Sequence, residues 1–335
     1  MRTVEPRLGI VYEHPEWFAP LFAELDRRGI PYDRVDTSAH VFDVDAHKVP
    51  WSLVLNRMSP SAYLRGHGAA IIHAREFLRY LEAGGVDVVN GADAFAFETS
   101  KVAQLLLLRR LGLPAPRTRI LNDARLAVEA AAGLRFPIAV KPNIGGSGAG
   151  IQRFETAADL RRAVEAGAVD LGIDRTALVQ EFLPAKGGHI VRVEVLGGRF
   201  LYAIKVYPNP DAGFNLCPAD ICQPGAVAQA TVPALAAADL CPVELPKVAL
   251  RVEGYTPPAP VVGAVLAIAR AAALDIAGVE YLVNDRDGEV YYYDVNVLSN
   301  FVTNAVSVVG FDPYATLVDY LAVRGRFRVP VPAGV

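Results

Sequence analysis

The sequence predicts an α/β domain followed by α+β structure, and two observations support this prediction. In the N-terminal part, short apolar segments alternate with segments whose apolar residues recur at helical spacing, which is typical of a parallel, doubly wound sheet. From Ala177 onwards, predicted strands at 177–182, 190–196 and 199–207 follow one another without a helix between them, which indicates antiparallel pairing. A chain of 335 residues is long enough for two or three packed domains.

The composition is that of a globular protein, with 52% hydrophobic and 21% charged residues. The net charge is -3 and no basic block occurs, so we expect no nucleic-acid partner. The longest apolar stretch, residues 260–274, contains Arg270 and is too short to span a bilayer, and residues 1–10 lack the apolar run of a signal peptide. We therefore expect a soluble, cytoplasmic protein without a membrane partner. Its cysteines are expected to stay reduced: Cys217, Cys222 and Cys241.

The first predicted elements place two polar residues at the functional edge of the parallel sheet. Ligands of such a sheet bind beyond the carboxyl ends of its strands. Asn56 and Arg57 directly follow the strand at 52–55, so we expect them where ligands are met. The surrounding elements are strands at 7–12 and 86–89 and helices at 15–28 and 67–81.

A first domain boundary is expected near residue 95, and a long irregular segment interrupts the elements that follow it. Residues 208–258 are rich in Pro and Ala and show little periodicity, which is uncommon unless such a connection has a function or is disordered. The predicted elements are a helix at 99–111, a strand from 117, a helix at 123–132, a strand at 138–141, a helix at 260–274 and a hairpin at 278–296.

The hairpin at 278–296 brings two acidic residues together in one of its two possible registers. A three-residue loop at 286–288 sets Glu280 opposite Asp294, whereas a two-residue loop turns Glu280 to the other face. Like charges opposite each other destabilise a sheet, so a cation is expected between them. Oxygen ligands without His or Cys favour Mg²⁺. The alternative is a solvent-facing strand whose charges only keep it soluble.

Two further details follow from the register with the three-residue loop. Asp285 pairs with Glu289 beside the loop. Asp294 and Asn296 share one face of their strand with Tyr292, because side chains alternate along a strand. A carboxamide thereby lies beside the two carboxylates.

A glycine-rich loop follows the strand at 138–141, in the segment FPIAVKPNIGGSGAGI. Glycine lacks a Cβ atom, so backbone N–H groups can close over phosphates. The loop has neither the Lys-Ser/Thr of a Walker loop nor the helix that follows a Rossmann fingerprint, since residues 149–154 resemble a strand. It predicts a hairpin flap over a nucleotide, with an ordinary flexible hairpin as the alternative. The glycine loop comprises Gly145, Gly146, Ser147, Gly148 and Gly150.

Two lysines precede this loop. Lys141 ends the strand and points towards the loop, unless it is a solvated strand-end residue. Lys101 lies in the first turn of the helix at 99–111, where the helix dipole disfavours a cation. An anion bound at this helix start would remove the conflict, although an exposed lysine tolerates the position at small cost.

The later strands add an apolar edge and two basic residues. The strand ALVQEFL ends at Leu183 and offers backbone groups that suit an adenine edge, with Glu181 for the ribose; an edge strand that ends in a proline turn is the alternative. Arg192 and Glu194 share one strand face. Arg192 and Lys205 are candidates to meet phosphate oxygens or a developing oxyanion, although as plain strand charges they need no such role.

The order of these segments resembles the ATP-grasp superfamily, and more closely its RimK-like and glutathione-synthetase-like carboxylate–amine ligases. The strongest signals are KPNIGGSGAGI, VQEFL and VEYLV…YYYDVNVLSN, and the resemblance extends over about residues 56–321. It implies an ATP-grasp fold with an N-terminal α/β domain at 1–95. Two α+β subdomains then enclose ATP, one at 96–183 and one at 184–330 that carries the metal site and the 208–258 insertion.

The resemblance also assigns roles residue by residue. The residues that match those around the ATP phosphates are Lys101 and Lys141, with Gly145, Gly146, Ser147 and Gly148 in the flap. The residues that match the adenine hinge are Gln180, Glu181, Phe182 and Leu183. The residues that match the magnesium ligands are Glu280, Asp294 and Asn296. Arg192 matches a basic residue near the transferred phosphate, and Arg57 matches an arginine that faces the substrate.

Three departures from the RimK-like pattern affect individual assignments. Relatives carry an aspartate where Ile190 stands, and the nucleotide contact is assigned to its neighbour His189. They carry an arginine after an Asn-Leu pair that here begins at Asn215, and the missing charge is assigned to Lys205. The usual proline after the last metal ligand is absent, and Asn300 stands in the segment that replaces it. Asn215 and Asn300 are accordingly expected on the substrate side.

The resemblance implies an ATP-dependent ligase that joins a carboxylate to an amine through an acyl-phosphate, on amino-acid or peptide-like substrates. It implies ATP and two Mg²⁺ ions, with Mn²⁺ as the alternative metal, and leaves a homo-oligomer open. Arg57, Arg65 and His67 are the candidates to receive an anionic substrate. Two other interpretations remain: a kinase of this fold that releases a phosphorylated product, and a nucleotide-binding scaffold without turnover.

Overall fold

The computed structural model describes residues 6–46, 49–209, 213–219 and 250–327, and begins with a parallel sheet. The strands of this N-terminal sheet are β1 (Leu8–Tyr12), β2 (Tyr32–Asp36), β3 (Leu53–Asn56) and β4 (Asp87–Val89), in the order β2-β1-β3-β4. Helices α1 (Ala19–Arg27) and α2 (Gly68–Ala83) join them. The predicted alternation is confirmed. Strand β2 was not predicted, because Val35 is the only buried residue in its segment YDRVD.

Two helices lead from the N-terminal sheet to the rest of the chain. They are α3 (Ala92–Glu98) and α4 (Lys101–Arg110), where the sequence predicted a single helix at 99–111. Leu107 and Leu108 of α4 share a core with Val279 and Val295, which belong to the last sheet of the chain. Helix α4 therefore packs on the C-terminal part of the fold.

The central sheet is antiparallel and carries the glycine loop. Its strands are β5 (Thr118–Leu121), β6 (Ile138–Pro142), β7 (Gln152–Phe154) and β8 (Ala177–Glu181), in the order β5-β8-β6-β7. Helices α5 (Ala127–Ala130) and α6 (Ala157–Glu165) pack against it. The predicted helix at 123–132 shortens to α5 after a 3₁₀ turn. Helix α6 was not predicted, although Thr156 and Asp159 form a capping box at its start.

The C-terminal sheet is also antiparallel, as the consecutive predicted strands indicated. Its strands are β9 (Ile190–Leu196), β10 (Arg199–Tyr207), β11 (Arg251–Gly254), β12 (Ile276–Val283) and β13 (Val290–Asn296), in the order β11-β10-β9-β12-β13. Strand β11 lies within the 208–258 segment, where no strand was predicted. Most of that segment, with Cys222 and Cys241, lies outside the described residues.

Three helices remain in the described C-terminal part, and the last of them packs against the N-terminal part. They are α7 (Ala259–Ala271), α8 (Ala305–Val309) and α9 (Pro313–Gly325). Leu317 and Leu321 of α9 share a core with Leu21 and Leu25 of α1. The three sheets fall in order within the ranges 1–95, 96–183 and 184–330, and the division of the chain at these boundaries stays a prediction. Among the described residues, no helix combines the length and apolar character needed to cross a membrane.

Asn90, directly after β4, joins the N-terminal and C-terminal sheets. Its backbone has a left-handed φ of 54°, a conformation that Asn adopts more readily than most residues, and its side chain is buried. Nδ2 donates to the carbonyls of Ile276 and Val297, at 2.7 Å each, and Oδ1 accepts from the N–H of Asp275 at 2.9 Å. One carboxamide thus satisfies backbone groups of two separate C-terminal segments.

We expect Asn90→Ala to lower the free energy of unfolding by about 3 kcal/mol, because the truncation leaves several buried backbone groups without partners. Urea denaturation measures this change. Asn122→Ala removes an exposed carboxamide and serves as the matched control, with an expected change within about 0.5 kcal/mol. Equal stability of the two variants would contradict the role of Asn90 as a joint between sheets.

Candidate functional site

A cleft of about 570 Å³ collects residues from the N-terminal part and from the central and C-terminal sheets. Its wall includes Trp17 from the N-terminal part, Lys141 from the central sheet and Asp294 from the C-terminal sheet. Most of the sequence-predicted site residues line it: Lys101, Lys141, Gly145, Gly146, Ser147, Gly148, Gln180, Glu181, Phe182, Leu183, Arg192, Glu280, Asp294, Asn296 and Asn300. The remaining four do not: Arg57, His189, Lys205 and Asn215.

The acidic pair lies across the β12–β13 ladder as predicted. Glu280 is opposite Asp294 on β13, and on its other side it pairs with Arg192 of β9. The register that leads there differs from the prediction, because the ladder shifts between Glu280 and Tyr281. On the turn side of this bulge, each β12 residue pairs with the β13 residue one position earlier than predicted. The prediction was therefore right for the two acids and wrong at the loop.

The loop of the hairpin has four residues instead of three. Asn284 rather than Asp285 faces Glu289, with its N–H donating to the Glu289 carbonyl at 2.9 Å. Asp287 fixes this longer loop, since its carboxylate accepts from Asn284 Nδ2 at 2.7 Å and from the N–H of Glu289 at 2.9 Å. These side-chain bonds are the physical reason for the difference.

The bulge also changes which side chains share a face. Tyr292 packs in the apolar core behind the sheet, whereas Asp294 and Asn296 line the cleft together with Tyr293. The predicted common face of Tyr292 and Asp294 is therefore wrong. A bulge places two successive residues of one strand against one partner, and the alternation of side chains resumes out of phase.

Each acid of the pair is held by a cation. Asp294 Oδ1 lies 3.0 Å from Lys101 Nζ, and Glu280 Oε1 lies 3.1 Å from Arg192 Nη1. Burial and the neighbouring Asp294 charge raise the pKa of Glu280 to about 7. Burial also acts to raise the pKa of Asp294, but the charges of Lys101 and Lys141 outweigh it and keep that pKa below its usual range.

The oxygen donors of the pair suit a small divalent cation. Two carboxylates and the carboxamide of Asn296, whose Nδ2 lies 3.3 Å from Glu280 Oε1, form the set. No group of three or more His, Cys, Asp or Glu side chains with metal-binding geometry occurs in the part of the chain that the structure describes. One or two carboxylates are what Mg²⁺ typically takes when substrate phosphates supply further oxygens.

Both lysines are buried against the cleft. Ser100 caps α4 by accepting from the N–H of Ala103 at 3.1 Å, so Lys101 occupies the first turn as predicted. The anion that offsets the unfavourable helix dipole is the Asp294 carboxylate. Lys141 is only 7% exposed, and burial together with the Lys101 charge lowers its pKa to about 8. A solvated strand-end lysine is thereby excluded.

The glycine loop is the predicted β6–β7 hairpin, and it is packed on two sides. A Cβ atom on Gly146 would lie 3.4 Å from both Pro60 and Ser61, in the N-terminal part. Gly148 has a φ of +72°, and a Cβ there would collide with the carbonyl of Phe214. The loop therefore lies between the N-terminal part and the segment 213–219.

The predicted adenine hinge borders the cleft, and two of its backbone N–H groups already form hydrogen bonds within the protein. The N–H groups of Glu181 and Phe182 donate to the carbonyls of Arg117 and Pro137, at 2.9 Å each. The Glu181 carboxylate accepts from the N–H of Arg135 at 2.9 Å, so one of its oxygens is already bonded. Arg153, which the sequence did not indicate, places its guanidinium 4.4 Å from the centre of the Phe182 ring.

Two basic side chains assigned to the nucleotide lie elsewhere. Lys205 Nζ is 4.9 Å from the centre of the Tyr255 ring, behind the strand face that carries Arg192. His189 Nδ1 is 3.1 Å from the carbonyl of Gly187, and its ring packs 5.3 Å from that of Tyr207. Strand alternation turns Lys205 away, and the loop at 186–188 turns His189 outwards. The structure thus gives neither residue a place in the cleft.

The two residues assigned to the substrate outside the cleft wall support segments that border it. Arg57 is buried, and its Nη2 donates to the Ser299 carbonyl and to Asn300 Oδ1, at 2.9 Å each. Asn215 Oδ1 accepts from the N–H of Cys217 at 3.0 Å and so shapes the turn at 213–219. Their contacts place both residues one layer behind the cleft surface.

The other two candidates for an anionic substrate are bound to an acid that the sequence did not indicate. Buried Glu13, at the end of β1, accepts from Arg65 Nη2 at 2.5 Å and pairs with His67 Nδ1 at 2.6 Å. Arg65 also lies 4.6 Å from the centre of the Trp17 ring. Arg65 and His67 are thereby both engaged by Glu13.

Two polar residues missed by the sequence hold the backbone beside the metal-ligand candidates. Glu98 Oε2 accepts from the N–H of Leu298 at 2.9 Å and also from that of Val297, and burial raises the pKa of Glu98 to about 7. Gln104 donates to the Val295 carbonyl at 2.9 Å and accepts from its N–H at 3.1 Å. Nothing in the local pattern marks these residues, because their partners lie about 200 positions away.

The family comparison identifies a domain in the middle of the chain. Residues 98–218 match the RimK-like ATP-grasp domain. A probable alpha-L-glutamate ligase of Teredinibacter turnerae is 32% identical over 142 residues, which are 41% of this chain and 46% of that protein. A tetrahydromethanopterin:alpha-L-glutamate ligase of Methanosarcina acetivorans is 33% identical over 138 residues, 38% of this chain and 42% of that protein. The chain thus spans less than half the length of these two relatives.

Solved structures share the fold over almost the whole chain. The ATP-grasp ligase PsnB in complex with a minimal precursor superposes with a TM-score of 0.64 at 18% identity, covering 96% of this chain and 100% of that one. A RimK domain ATP-grasp protein of Sphaerobacter thermophilus gives 0.64 at 19% identity, covering 94% and 98%. Another PsnB complex, with Mg and ADP, gives 0.62 at 19% identity, covering 95% and 98%. The chain therefore has the fold of these ATP-grasp proteins, and its residues 98–218 match the RimK-like ATP-grasp domain.

Proposed function

We propose that the protein is an ATP-dependent carboxylate–amine ligase that forms an amide or peptide bond through an acyl-phosphate. One observation carries the proposal: a single cleft joins the acidic pair Glu280 and Asp294 to Lys101, Lys141 and the glycine loop. The named relatives are ligases that use glutamate, and the PsnB complex with Mg and ADP supports a nucleotide and a metal in a cleft of this fold.

The nucleotide is assigned to the space between the central and C-terminal sheets. Lys101 and Lys141 provide buried positive charge for the phosphates, and the glycine loop provides backbone N–H groups. The apolar side chains of Phe182, Leu183 and Leu282 border the same cleft and suit the adenine ring. Lys205 and His189 have no part in this assignment.

The metal is assigned to Glu280, Asp294 and Asn296, whose oxygen donors fit Mg²⁺, with Mn²⁺ as the alternative and two ions as the expected number. When bound, a divalent ion would neutralise charge on the β- and γ-phosphates. Lys101 and Arg192, which hold the acids in this structure, would then be available to the phosphates and the reacting carboxylate.

The proposed reaction has two steps. An oxygen of the acid substrate attacks the γ-phosphorus, and the bond to the bridging oxygen breaks, so that ADP leaves with the electron pair and an acyl-phosphate forms. The amine nitrogen then attacks the acyl carbon and loses a proton, while the carbon–oxygen bond breaks and phosphate leaves. Arg192 stabilises the negative charge, and the closed glycine loop excludes water that would hydrolyse the acyl-phosphate.

The acid and amine are proposed to be amino acids or peptide-like molecules. The two glutamate ligases among the relatives and the precursor bound by PsnB support this class of substrate. In this chain the substrate side of the cleft is bordered by Trp17, Ser59, Leu298 and Asn300. These residues offer an aromatic wall and several hydrogen-bonding groups.

The proposed function is tested by screening pairs of amino acids and peptides for ADP release in the presence of ATP and Mg²⁺. A ligase releases ADP only when both an acid and an amine are present, and mass spectrometry then finds the amide. ADP formed with a stable phosphorylated product identifies a kinase. Binding of ATP without any ADP release identifies a nucleotide-binding scaffold.

Asp294→Asn is expected to lower kcat for ADP release by at least about 100-fold, because the carboxamide lacks the charge that would hold the metal. The fold should persist, as measured by circular dichroism. Asp285→Asn makes the same chemical change on the same hairpin, at an exposed side chain outside the cleft, and should leave kcat unchanged. If Asp294→Asn retained full activity, the assigned metal site would be wrong.

Gly148→Ala is expected to weaken ATP binding, because the added methyl group collides with the Phe214 carbonyl and displaces the glycine loop. Isothermal titration with a non-hydrolysable ATP analogue measures the change. Gly167→Ala is the matched control: Gly167 also has a positive φ, +64°, but a Cβ there meets nothing within 4 Å. The same loss of affinity in both variants would attribute the effect to backbone strain alone.

A further inference from the structure

Arg192, in the wall of the cleft, is held by three partners in a buried network. Its Nε donates to Glu194 Oε1 at 2.6 Å, its Nη1 to Glu280 Oε1 at 3.1 Å, and its Nη2 to the Ser299 hydroxyl at 2.6 Å. Both Glu194 and Ser299 have 0% of their surface exposed. Every arm of the guanidinium is therefore directed by a different side chain.

The direction of each hydrogen bond in this network is fixed by chemistry. An arginine only donates and an ionised carboxylate only accepts. The Ser299 hydroxyl has one hydrogen, which it gives to Glu194 Oε2 at 2.5 Å, and it accepts from Arg192. Glu194 therefore needs both oxygens as acceptors, one for Arg192 and one for Ser299.

The network is packed closely against the backbone of the neighbouring strand. Gly278 of β12 lies beneath it, and a Cβ atom there would be 2.7 Å from both Arg192 Nη2 and Glu194 Oε1. Ser299 is itself fixed, because its carbonyl accepts from Arg57 Nη2 at 2.9 Å. Ser299, which follows β13, thus connects Arg192 of the C-terminal sheet with Arg57 of the N-terminal part.

We infer that Glu194 and Ser299 are positioning residues for Arg192, and that Glu194 is its permanent counter-ion. The inference rests on the proposed function, in which Glu280 turns to the metal and ceases to neutralise Arg192. A buried cation without an acid beside it is costly, and Glu194 supplies that acid from a site the metal does not need. Ser299 keeps the planar group aligned with the transferred phosphoryl group, which Arg192 touches.

The inference is tested with Ser299→Ala and Glu194→Gln. A glutamine keeps the size of the side chain but removes the negative charge opposite Arg192, and only one of its two polar atoms accepts, so it cannot accept from both Arg192 and Ser299. We expect kcat for ADP release to fall by about 100-fold in each variant, with a raised KM for the acid and an unchanged Kd for an ATP analogue. Ser307→Ala, an exposed serine in α8, is the matched control and should change none of these values.

A readout that does not need turnover separates this inference from the proposed function. The Arg192 Nε–H signal in a ¹⁵N–¹H spectrum, assigned with Arg192→Lys, should exchange slowly with water in the wild type and faster in both variants. If the wild type releases no ADP with any substrate pair, the proposed function fails and this signal alone decides the inference. An unchanged signal, or an unchanged kcat in an active enzyme, overturns the inference. Should Ser299→Ala not fold, Glu194→Gln answers the same questions.

Discussion

The burial of Glu280 directly opposite Asp294 is the constraint on which the other features of the cleft depend. Two carboxylates taken out of water and set side by side are costly unless cations neutralise them. The requirement explains why Lys101 stands in the first turn of α4, against the helix dipole, and why Arg192 occupies the neighbouring position on β9. In the proposed function, a site built in this way would exchange its internal ion pairs for a metal and a triphosphate without exposing uncompensated charge.

The position of the acids is in turn fixed by the segment 295–300 that follows them. Gln104 binds both backbone groups of Val295, Glu98 binds the next N–H groups, and Asn90 binds the Val297 carbonyl. Arg57 completes the series at the Ser299 carbonyl. All four side chains precede residue 105, so the earlier part of the chain holds the backbone that presents Asp294 and Asn296. Coupling between the parts of the protein is built from these buried hydrogen bonds, each of which would be expensive to break.

Short-range patterns predicted many of the elements and most of the residues that line the cleft, and failed where contacts with distant side chains determine the structure. The alternation of strands and helices, the glycine hairpin and the pairing of Glu280 with Asp294 follow from local rules of spacing and turn chemistry. The hairpin loop was mispredicted because Asp287 stabilises four residues and a bulge then restores the register. Lys205 was assigned a role because of its charge, although the alternation of side chains along its strand already turned it away from the cleft.

The buried polar residues are the part of the structure that no local sequence pattern could predict. Glu98, Asn90 and Ser299 lie in segments that resemble an ordinary helix, turn and loop, and their partners lie 107 to 207 positions away in the chain. The same long-range packing gives the glycine loop its closed position, between Ser61 on one side and Phe214 on the other. A loop that must fit both surfaces can cover the phosphates only when the N-terminal part and the segment 213–219 are in place. Exclusion of water and assembly of the substrate side are therefore consequences of one packing event, and the glycines are required because no side chain fits between those surfaces.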